Sequence, residues 1–307
     1  MKSLTRLYLL FALLLVQSYA FAQKVLVDTQ KSYPGIRSIE VEGGWLDVSY
    51  DGGSSSSVDV EAYLESENEN QDIVFVTIGD VLKISYKRSS QMNSWNSKSK
   101  GWIKMSGPES IKLSIRNSSG DLQVSRVSSD ETSLKVSSGK IQANQIRGDL
   151  MVNATSGNIR VDGVNGNVLA GMTSGNADIF NVKGDLQYKS TSGSLDANNV
   201  EGELSVSLTS GNAKLSNVGQ LGALKFTSGN IRAENAGLGP NTSFSGTSGN
   251  FRVQTPSNLN AYNYELKASS GNLKVGKSSK GKTLEINNGA SSTIKGQISS
   301  GNITIEN

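Results

Sequence analysis

Asp178 and Asp196 are two acidic residues that occupy the same place in consecutive copies of an 18-residue motif. If the copies stack as neighbouring strands, the backbones of the two residues lie about 5 Å apart, close to the separation of the two carboxyl groups in a retaining glycosidase. Arg160 and Lys214 occupy the same place in the copies on either side. A solvated ladder of ion pairs therefore accounts for both acids without catalysis, and a flat strand face would desolvate neither carboxyl group.

The basic residues of the same row form the first candidate binding surface. Four of them follow one another in successive copies, and we call this row the basic stripe: Lys214, Arg232, Arg252 and Lys274. Stacked positive charges attract an acidic polysaccharide or the phosphates of a lipopolysaccharide. The alternative interpretation is a solvated face that only keeps the protein in solution.

Trp95 is the second candidate, because it lies in the polar segment SSQMNSWNSKSKG. An exposed indole offers apolar area on which a sugar ring can stack. Trp45 and Trp102 also precede the regular repeats. Packing within the N-terminal region is the alternative role for Trp95 and the expected role for Trp45, which adjoins a predicted strand.

The composition excludes several kinds of chemistry. The 307 residues include no cysteine and no histidine, which rules out disulfides, thiol nucleophiles, a lipidated cysteine, Ser-His-Asp triads and the common zinc sites. An enzyme of this composition would have to use Asp, Glu, Lys, Arg, Tyr or Ser alone. The sequence has no evident cluster that mixes Arg or Lys with several acids and aromatic residues, so we predict no metal, no cofactor and no enzymatic activity. The hydrophobic content of 36% and the 33 glycines indicate a thin, repetitive core.

Residues 1–22 have the pattern of a signal peptide. Lys2 and Arg6 give a charged start, residues 7–16 are almost wholly apolar, and the segment ends in the small-x-small cleavage site AFA. We expect the mature chain to be exported to the periplasm, the cell surface or the extracellular space, without a transmembrane segment. Without Lys2 and Arg6 it has 28 basic and 27 acidic residues, a balance that predicts no nucleic-acid partner.

The elements that must position the candidate residues are short strands of an internal repeat. A Ser-Gly pair marks ten repeat positions, most often as TSGN followed by alternating apolar and polar residues. The glycines of these pairs are Gly120, Gly139, Gly157, Gly175, Gly193, Gly211, Gly229, Gly249, Gly271 and Gly301. Most intervals are 18 residues, and the last three are 20, 22 and 30 residues. Each unit therefore holds two strands of period two, separated by turns rich in Gly, Asn and Asp.

Apolar residues fall at six fixed places in each unit, and this pattern distinguishes among solenoids. In one unit they are Leu195, Ala197, Val200, Leu204, Val206 and Leu208. A left-handed hexapeptide helix would need an aliphatic residue every six positions, and a calcium-binding nonapeptide roll would need GGxGxD turns. Neither pattern occurs. We therefore predict an all-β fold, a single-stranded parallel β-helix, expected to be right-handed, with about 18 residues per coil.

The two parts of the mature chain differ in regularity. Residues 23–117 are predicted to form imperfect first coils and a cap, and residues 118–307 the regular β-solenoid. Candidate strands in the first part cover residues 36–41, 46–50, 58–64, 73–78, 82–87 and 111–116. Near the other end, the 30-residue interval predicts an extra strand at about residues 284–287, flanked by Lys277, Lys280 and Lys282, which would discourage edge pairing.

Three segments of the sequence resemble a known family. The TSGN units, the intervening strands that begin GDL or GEL, and the upstream segment IRSIEVEGGWLDVSY are similar to the bacterial putative-adhesin β-helix family. This family is a domain of unknown function, similar in style to the head domains of auto-transporter adhesins. The resemblance runs from about Ile36 to the C-terminus. It implies a β-helix and supplies no catalytic residues.

These observations predict an exported, non-enzymatic, adhesin-like or scaffold protein of the bacterial cell envelope that binds through the exposed faces of a β-helix. Its partner would be an acidic polysaccharide or another envelope component. One alternative is a glycan-binding module that uses the basic stripe. A second alternative is a β-helix polysaccharide lyase or hydrolase, which would need acids and bases that converge in a groove.

Overall fold

The computed structural model describes residues 24–89 and 99–307. The predicted signal peptide and Trp95 lie outside these residues. Within them the chain is all-β, as predicted: sixteen strands belong to one continuous, open sheet, and a single 3-10 turn covers Leu259–Ala261. No helix in this part of the chain is long and apolar enough to cross a membrane.

The strands fall into three groups along the chain. The N-terminal group is β1 Lys24–Pro34, β2 Ser38–Gly44, β3 Asp47–Gly53, β4 Ser57–Ser66, β5 Gln71–Ile78, β6 Val81–Arg88, β7 Ser99–Pro108 and β8 Lys112–Asn117. The stacked region consists of β9 Leu122–Asn165, β10 Val168–Val182 and β11 Leu186–Gln254. The C-terminal group is β12 Asn263–Ser270, β13 Leu273–Val275, β14 Ser278–Lys280, β15 Thr283–Ile286 and β16 Thr293–Glu306.

In the stacked region, residues pair in parallel with residues 18 positions away. Val168 pairs with Leu186 on one side and with Leu150 on the other. The register continues through the turn, where Gly175 pairs with Gly193. The two short strands predicted for each unit are thereby merged into longer ones. We use the word coil for one such unit. Residues in equivalent positions of successive coils consequently share one environment.

The inward positions of the coils carry the apolar side chains. The six apolar places predicted in the repeat are buried, as in Leu195, Ala197, Val200, Leu204, Val206 and Leu208, which are at most 3% exposed. A coil has no second layer of its own, so its apolar face is buried by the coils above and below. The core is therefore continuous along the stack.

The TSGN turn of each coil requires glycine. Gly211 has a φ of +136°, and a Cβ atom there would collide with the carbonyl oxygen of Gly193, one coil earlier. Gly229 stands in the same relation to Gly211, with a φ of +151°. Coils stacked at the strand spacing of about 4.8 Å leave no room for a side chain at this turn.

The N-terminal group extends the stack as two limbs of the sheet. Strands β3, β7, β4 and β1 continue from β9 along one limb, and β8, β2, β6 and β5 along the other. The outer pairs, β1 with β4, β4 with β7, and β5 with β6, are antiparallel. The antiparallel pairing distinguishes these outer strands from the parallel coils.

The six strands predicted in this part correspond to β2, β3, β4, β5, β6 and β8, whereas β1 and β7 were not predicted. Strand β1 has no buried residue, so its sequence lacks the alternation of a half-buried strand. Strand β7 buries four residues, of which two are glycines, Gly101 and Gly107. Because glycine has no apolar side chain, the alternation of apolar and polar residues that is typical of a half-buried strand is not visible in the sequence of β7.

Strand β16 is inserted between two strands that precede it in the sequence. Arg252 of β11 and Lys274 of β13 both pair with Thr304 of β16. The sequence predicted Arg252 and Lys274 as direct neighbours in the basic stripe, and this was wrong. The glycines of the TSGN turns stack in one column, which we call the glycine column. The Ser-Gly-Asn turn at Gly301 fits this column as well as the turn at Gly271 does, so the local sequence does not reveal which of the two strands lies next to β11.

The far edge of the sheet carries two further strands. The extra strand predicted at about residues 284–287 is present as β15, which pairs antiparallel with β12. Strand β14 pairs antiparallel with β13. The flanking Lys277, Lys280 and Lys282 are exposed, as expected for residues that discourage pairing with another sheet.

Candidate functional site

The first half of the basic stripe is exposed but not free of acidic partners. The Lys214 Nζ lies 3.9 Å from a carboxylate oxygen of Asp196, and the Arg232 guanidinium lies 2.6 Å from that of Glu234. The side chains of Lys214 and Arg232 are 61% and 59% exposed. Their charge is therefore partly compensated within the protein.

The second half of the stripe converges on one acid. Arg252 and Lys274 lie 3.5 and 3.0 Å from the carboxylate of Glu306, which belongs to the inserted strand β16. The hydrogen bond and charge of Lys274, with the charge of Arg252, hold the pKa of Glu306 below its ordinary value. The stripe is thus a mixed row of charges and not four stacked cations.

Asp178 and Asp196, the two candidate catalytic acids, lie side by side in adjacent coils, as their 18-residue spacing predicts. Asp178 pairs with Asp196 on one side and with Arg160 on the other. The Arg160 guanidinium also lies over the ring of Phe180 at 5.4 Å. Both acids are half-exposed on a strand face. Basic residues at both ends of the pair make it part of a solvated charge ladder.

The two described tryptophans have different surroundings. Trp45 is half-buried and meets the edge of Tyr86, with ring centres 5.9 Å apart. Trp102 projects from the outer face of β7 and stacks on Tyr63, with ring centres 4.4 Å apart. A packing role therefore fits Trp45, whereas Trp102 belongs to the surface.

Each coil has a second turn besides the TSGN turn, and Asn181 and Asn199 lie in this second turn of two successive coils. A groove that was not predicted from the sequence runs along these turns. We call it the corner groove. Its volume is about 580 Å³, and equivalent residues of several coils line it. Its floor includes Val127, Ile146 and Val164, each 1% exposed. Because the lining repeats from coil to coil, the groove runs along the stack.

One rim of the corner groove consists of residues with left-handed backbone conformation. They are Arg126, Gln145, Gly163, Asn181 and Asn199. The Asn199 amide donates to the Oδ1 of Asn181 at 2.8 Å. Gly163 offers no such acceptor, so the Asn181 amide donates to the Oδ1 of Asp162 at 2.7 Å. The row of amides therefore has a gap at Gly163, in the middle of the rim.

The other rim is polar and charged. Its residues are Glu109, Arg147, Asn165, Lys183 and Glu201. Arg147 is paired with Glu109 at 2.9 Å. Lys183 and Glu201 are exposed and lie in adjacent coils. Within the described residues, neither forms an ion pair. Both are consequently available to an external ligand.

These rims supply hydrogen-bond donors and acceptors at the regular spacing of the stack. Among the described residues, no group of three or more carboxylates is close enough to hold a metal ion. The sequence does carry a signal for the groove, namely an asparagine directly before an aliphatic residue in successive units. Asn181-Val182, Asn199-Val200 and Asn217-Val218 are the examples.

Comparison with known proteins gives a family match. The family model described as Toastrack DUF4097 matches residues 36–218 and, a second time, residues 201–306. A search of curated proteins found no significant match.

Several solved structures are similar in outline. A putative lipid binding protein from Parabacteroides distasonis is 14% identical, covers 91% of this chain and 97% of its own, and has a TM-score of 0.47. A putative adhesin from Bacteroides fragilis is 11% identical, covers 92% and 97%, and has a TM-score of 0.42. A putative adhesin from Parabacteroides merdae is 11% identical over the same shares, with a TM-score of 0.30. Each likeness is remote.

Proposed function

We propose a binding function for this chain, which belongs to the Toastrack DUF4097 family. It is an exported, non-enzymatic, adhesin-like protein of the bacterial envelope that holds a linear, polar polymer along its coils. The corner groove carries this proposal, because equivalent polar groups recur along it from coil to coil.

The length and chemistry of the groove favour a glycan. From Arg126 to Asn199 it crosses four steps of about 4.8 Å, so a ligand of about 19 Å fits along it. Amide and charged side chains at a regular spacing match the recurring hydroxyl groups of a polysaccharide. An acyl chain would need an exposed apolar floor, whereas Val127, Ile146 and Val164 are covered.

The proposal of a non-enzymatic role is supported by the surroundings of Asp178 and Asp196. The Asp196 side chain is 44% exposed and has Lys214 beside it. A general acid in a glycosidase needs a desolvated carboxyl group. We expect no release of products from polygalacturonate, alginate or dextran. Product release that disappears in the Asp178→Asn variant would overturn this part of the proposal.

Export and location are proposed from the signal-peptide pattern of residues 1–22. Treating intact cells with an external protease tests the location. Degradation of the native protein supports surface exposure and adhesion. Protection that ends when the outer layer is opened supports a periplasmic scaffold.

A pair of double variants tests the corner groove. The double variant Asn181→Gly with Asn199→Gly removes two side-chain amides from the rim. Glycine readily adopts the left-handed backbone conformation of these two positions, as Gly163 does in the same rim. The matched control, Asn217→Gly with Asn235→Gly, removes the same amides from the same row beyond the residues that line the groove.

The measurement is calorimetric titration with polygalacturonate, alginate, chitin oligomers and dextran. At about 1 kcal/mol for each lost hydrogen bond, the first variant is expected to bind its best ligand about tenfold more weakly or worse. The control is expected to bind like the unaltered protein. Equal losses in both variants, or no binding of any of the four, would contradict the proposed groove.

A further inference from the structure

Tyr63 and Trp102 form a stacked pair on the outer face of the N-terminal sheet. They are cross-strand partners on β4 and β7, with ring centres 4.4 Å apart and ring planes 20° apart. Their chain neighbours Ala62, Leu64 and Ile103 point to the core and are at most 2% exposed. Both aromatic side chains therefore project away from the core and remain half-exposed.

Among the described residues, no second ring stacks on the side of Trp102 away from Tyr63. The residue paired with Trp102 on that side is Asp47 of β3. An aspartate is too short to cover an indole, and the Asp47 carboxylate accepts a hydrogen bond from the backbone N–H of Asp121 at 2.8 Å. Within the described residues, no aromatic side chain takes the place of a third ring on the β3 side of this stack, and a ligand can stack there.

Two lysines lie over this indole. The Nζ atoms of Lys100 and Lys104 are 5.7 and 5.2 Å from the centre of the Trp102 ring. Both lysines are exposed. Neither forms an ion pair with another described residue. The aromatic pair therefore carries two positive charges that have no ion-pair partner among the described residues.

The nearest carboxylates are engaged by neutral groups. Glu65, which pairs with Lys100 across the strands, accepts the phenol hydrogen of Tyr63 at 2.8 Å. This hydrogen bond raises the pKa of the Tyr63 phenol. Glu61, which pairs with Lys104, accepts from the amide of Gln30 at 2.7 Å. Within the part of the chain that the structure describes, neither acid forms an ion pair with Lys100 or Lys104.

We propose that Trp102, with Tyr63 behind it, is a binding site for an acidic sugar. The pyranose ring stacks its C–H face on the indole, and the sugar carboxylate lies between the ammonium groups of Lys100 and Lys104. The site lies on β4 and β7, so it does not depend on the corner groove. It adds a defined ligand class to the proposed glycan binding.

The experiment uses the mature chain and tetragalacturonate, with the methyl ester of the same tetramer as the uncharged counterpart. Binding is followed by calorimetry and by tryptophan fluorescence. We expect the acid to bind at least about tenfold more tightly than its ester and to change the fluorescence. Trp102→Ala is expected to lose about tenfold in affinity and the fluorescence response, and Trp102→Phe to lose less. The double variant Lys100→Gln with Lys104→Gln is expected to lose the preference for the acid.

Phe180→Ala is the matched control, since Phe180 is a half-exposed aromatic residue beside a cation but without a second ring. It is expected to bind tetragalacturonate normally. The corner-groove variants are also expected to leave the Trp102 response unchanged, so that either proposal can fail alone. Equal affinity for acid and ester, or normal binding by folded Trp102→Ala and Trp102→Phe proteins, would overturn this site.

Discussion

Arg252 and Lys274 bind the same carboxylate, that of Glu306, from the two strands on either side of it. The three residues belong to β11, β13 and β16, so the two ion pairs of Glu306 connect the inserted strand β16 to both of its neighbours. The inserted strand thus has a polar contact on the surface in addition to its buried Ile303 and Ile305.

This cluster predicts a dependence of stability on pH. The folded pKa of Glu306 is lowered, chiefly by the hydrogen bond from Lys274, below its ordinary value of 4.5. Its stabilisation is therefore fully present above the unfolded pKa and is lost as the pH falls through the folded pKa. Glu306→Gln is expected to be less stable than the unaltered protein at pH 7 and equally stable at strongly acid pH. Urea unfolding across this range measures the difference. A difference that stays constant with pH would count against the cluster.

The glycine column predicts a large effect of a single methyl group. In Gly211→Ala the new Cβ atom meets the backbone oxygen of Gly193, and the residue keeps an unfavourable φ. We expect a loss of more than about 3 kcal/mol in the free energy of unfolding. Gly79→Ala is the control, since its φ is +61° but no atom lies within 4 Å of the new Cβ. It is expected to cost about 1 kcal/mol. Similar losses in the two variants would argue against close stacking at the turn.

Deleting whole and half units tests the stacking register. Removing residues 174–191 joins Thr173 to Ser192, and Ser192 already occupies the place of Ser174 in the register. A shorter folded protein with a cooperative thermal melt is expected. Removing residues 174–182 brings a strand of the other half of the coil into the wrong place, and this variant is expected to lose cooperativity or aggregate. Circular dichroism melts compare the two. Equal tolerance of both deletions would mean that 18 residues are not one coil.

The basic stripe stays a proposed second contact surface, and salt tests it. Its arginines, Arg232 and Arg252, are 59% and 62% exposed, so their attraction for polygalacturonate is expected to weaken steeply as salt is added. The variant Arg232→Gln with Arg252→Gln is expected to lose this salt-dependent part of the binding. Its melting temperature is expected to change little, because exposed ion pairs contribute about 0–1 kcal/mol. If the double variant binds polygalacturonate with unchanged affinity and salt dependence, the basic stripe is not a contact surface for this ligand.

The repeat made the fold of the stacked region predictable. Leu195 and its counterparts share one environment in every coil, so their periodic sequence reports burial directly. The predicted resemblance to a domain of unknown function is confirmed at the level of the Toastrack DUF4097 match. The likeness to auto-transporter head domains, the handedness, the coil size of about 18 residues and the assigned binding residues stay predictions.

Other features could not be read from the sequence, because they depend on contacts between distant segments. The position of Thr304 between Arg252 and Lys274 depends on which coil accepts β16, and all three strands follow the same local pattern. The stacking of Trp102 on Tyr63 requires the pairing of β4 with β7, and β7 itself escaped prediction. The corner groove arises only when the polar turns of successive coils are stacked.

The inserted strand also sets an order of assembly. Coils in the stacked region join residues 18 positions apart, as Asn181 and Asn199 do, so each can form on the one before it as the chain emerges. Asn302 of β16, by contrast, bonds with Asn250 and Asn272, which are 52 and 30 positions away. Closing these longer loops costs more entropy and slows folding. Strands β12 and β13 can therefore complete their parallel pairing only after β16 has been synthesised, so this end of the sheet does not form in sequence order.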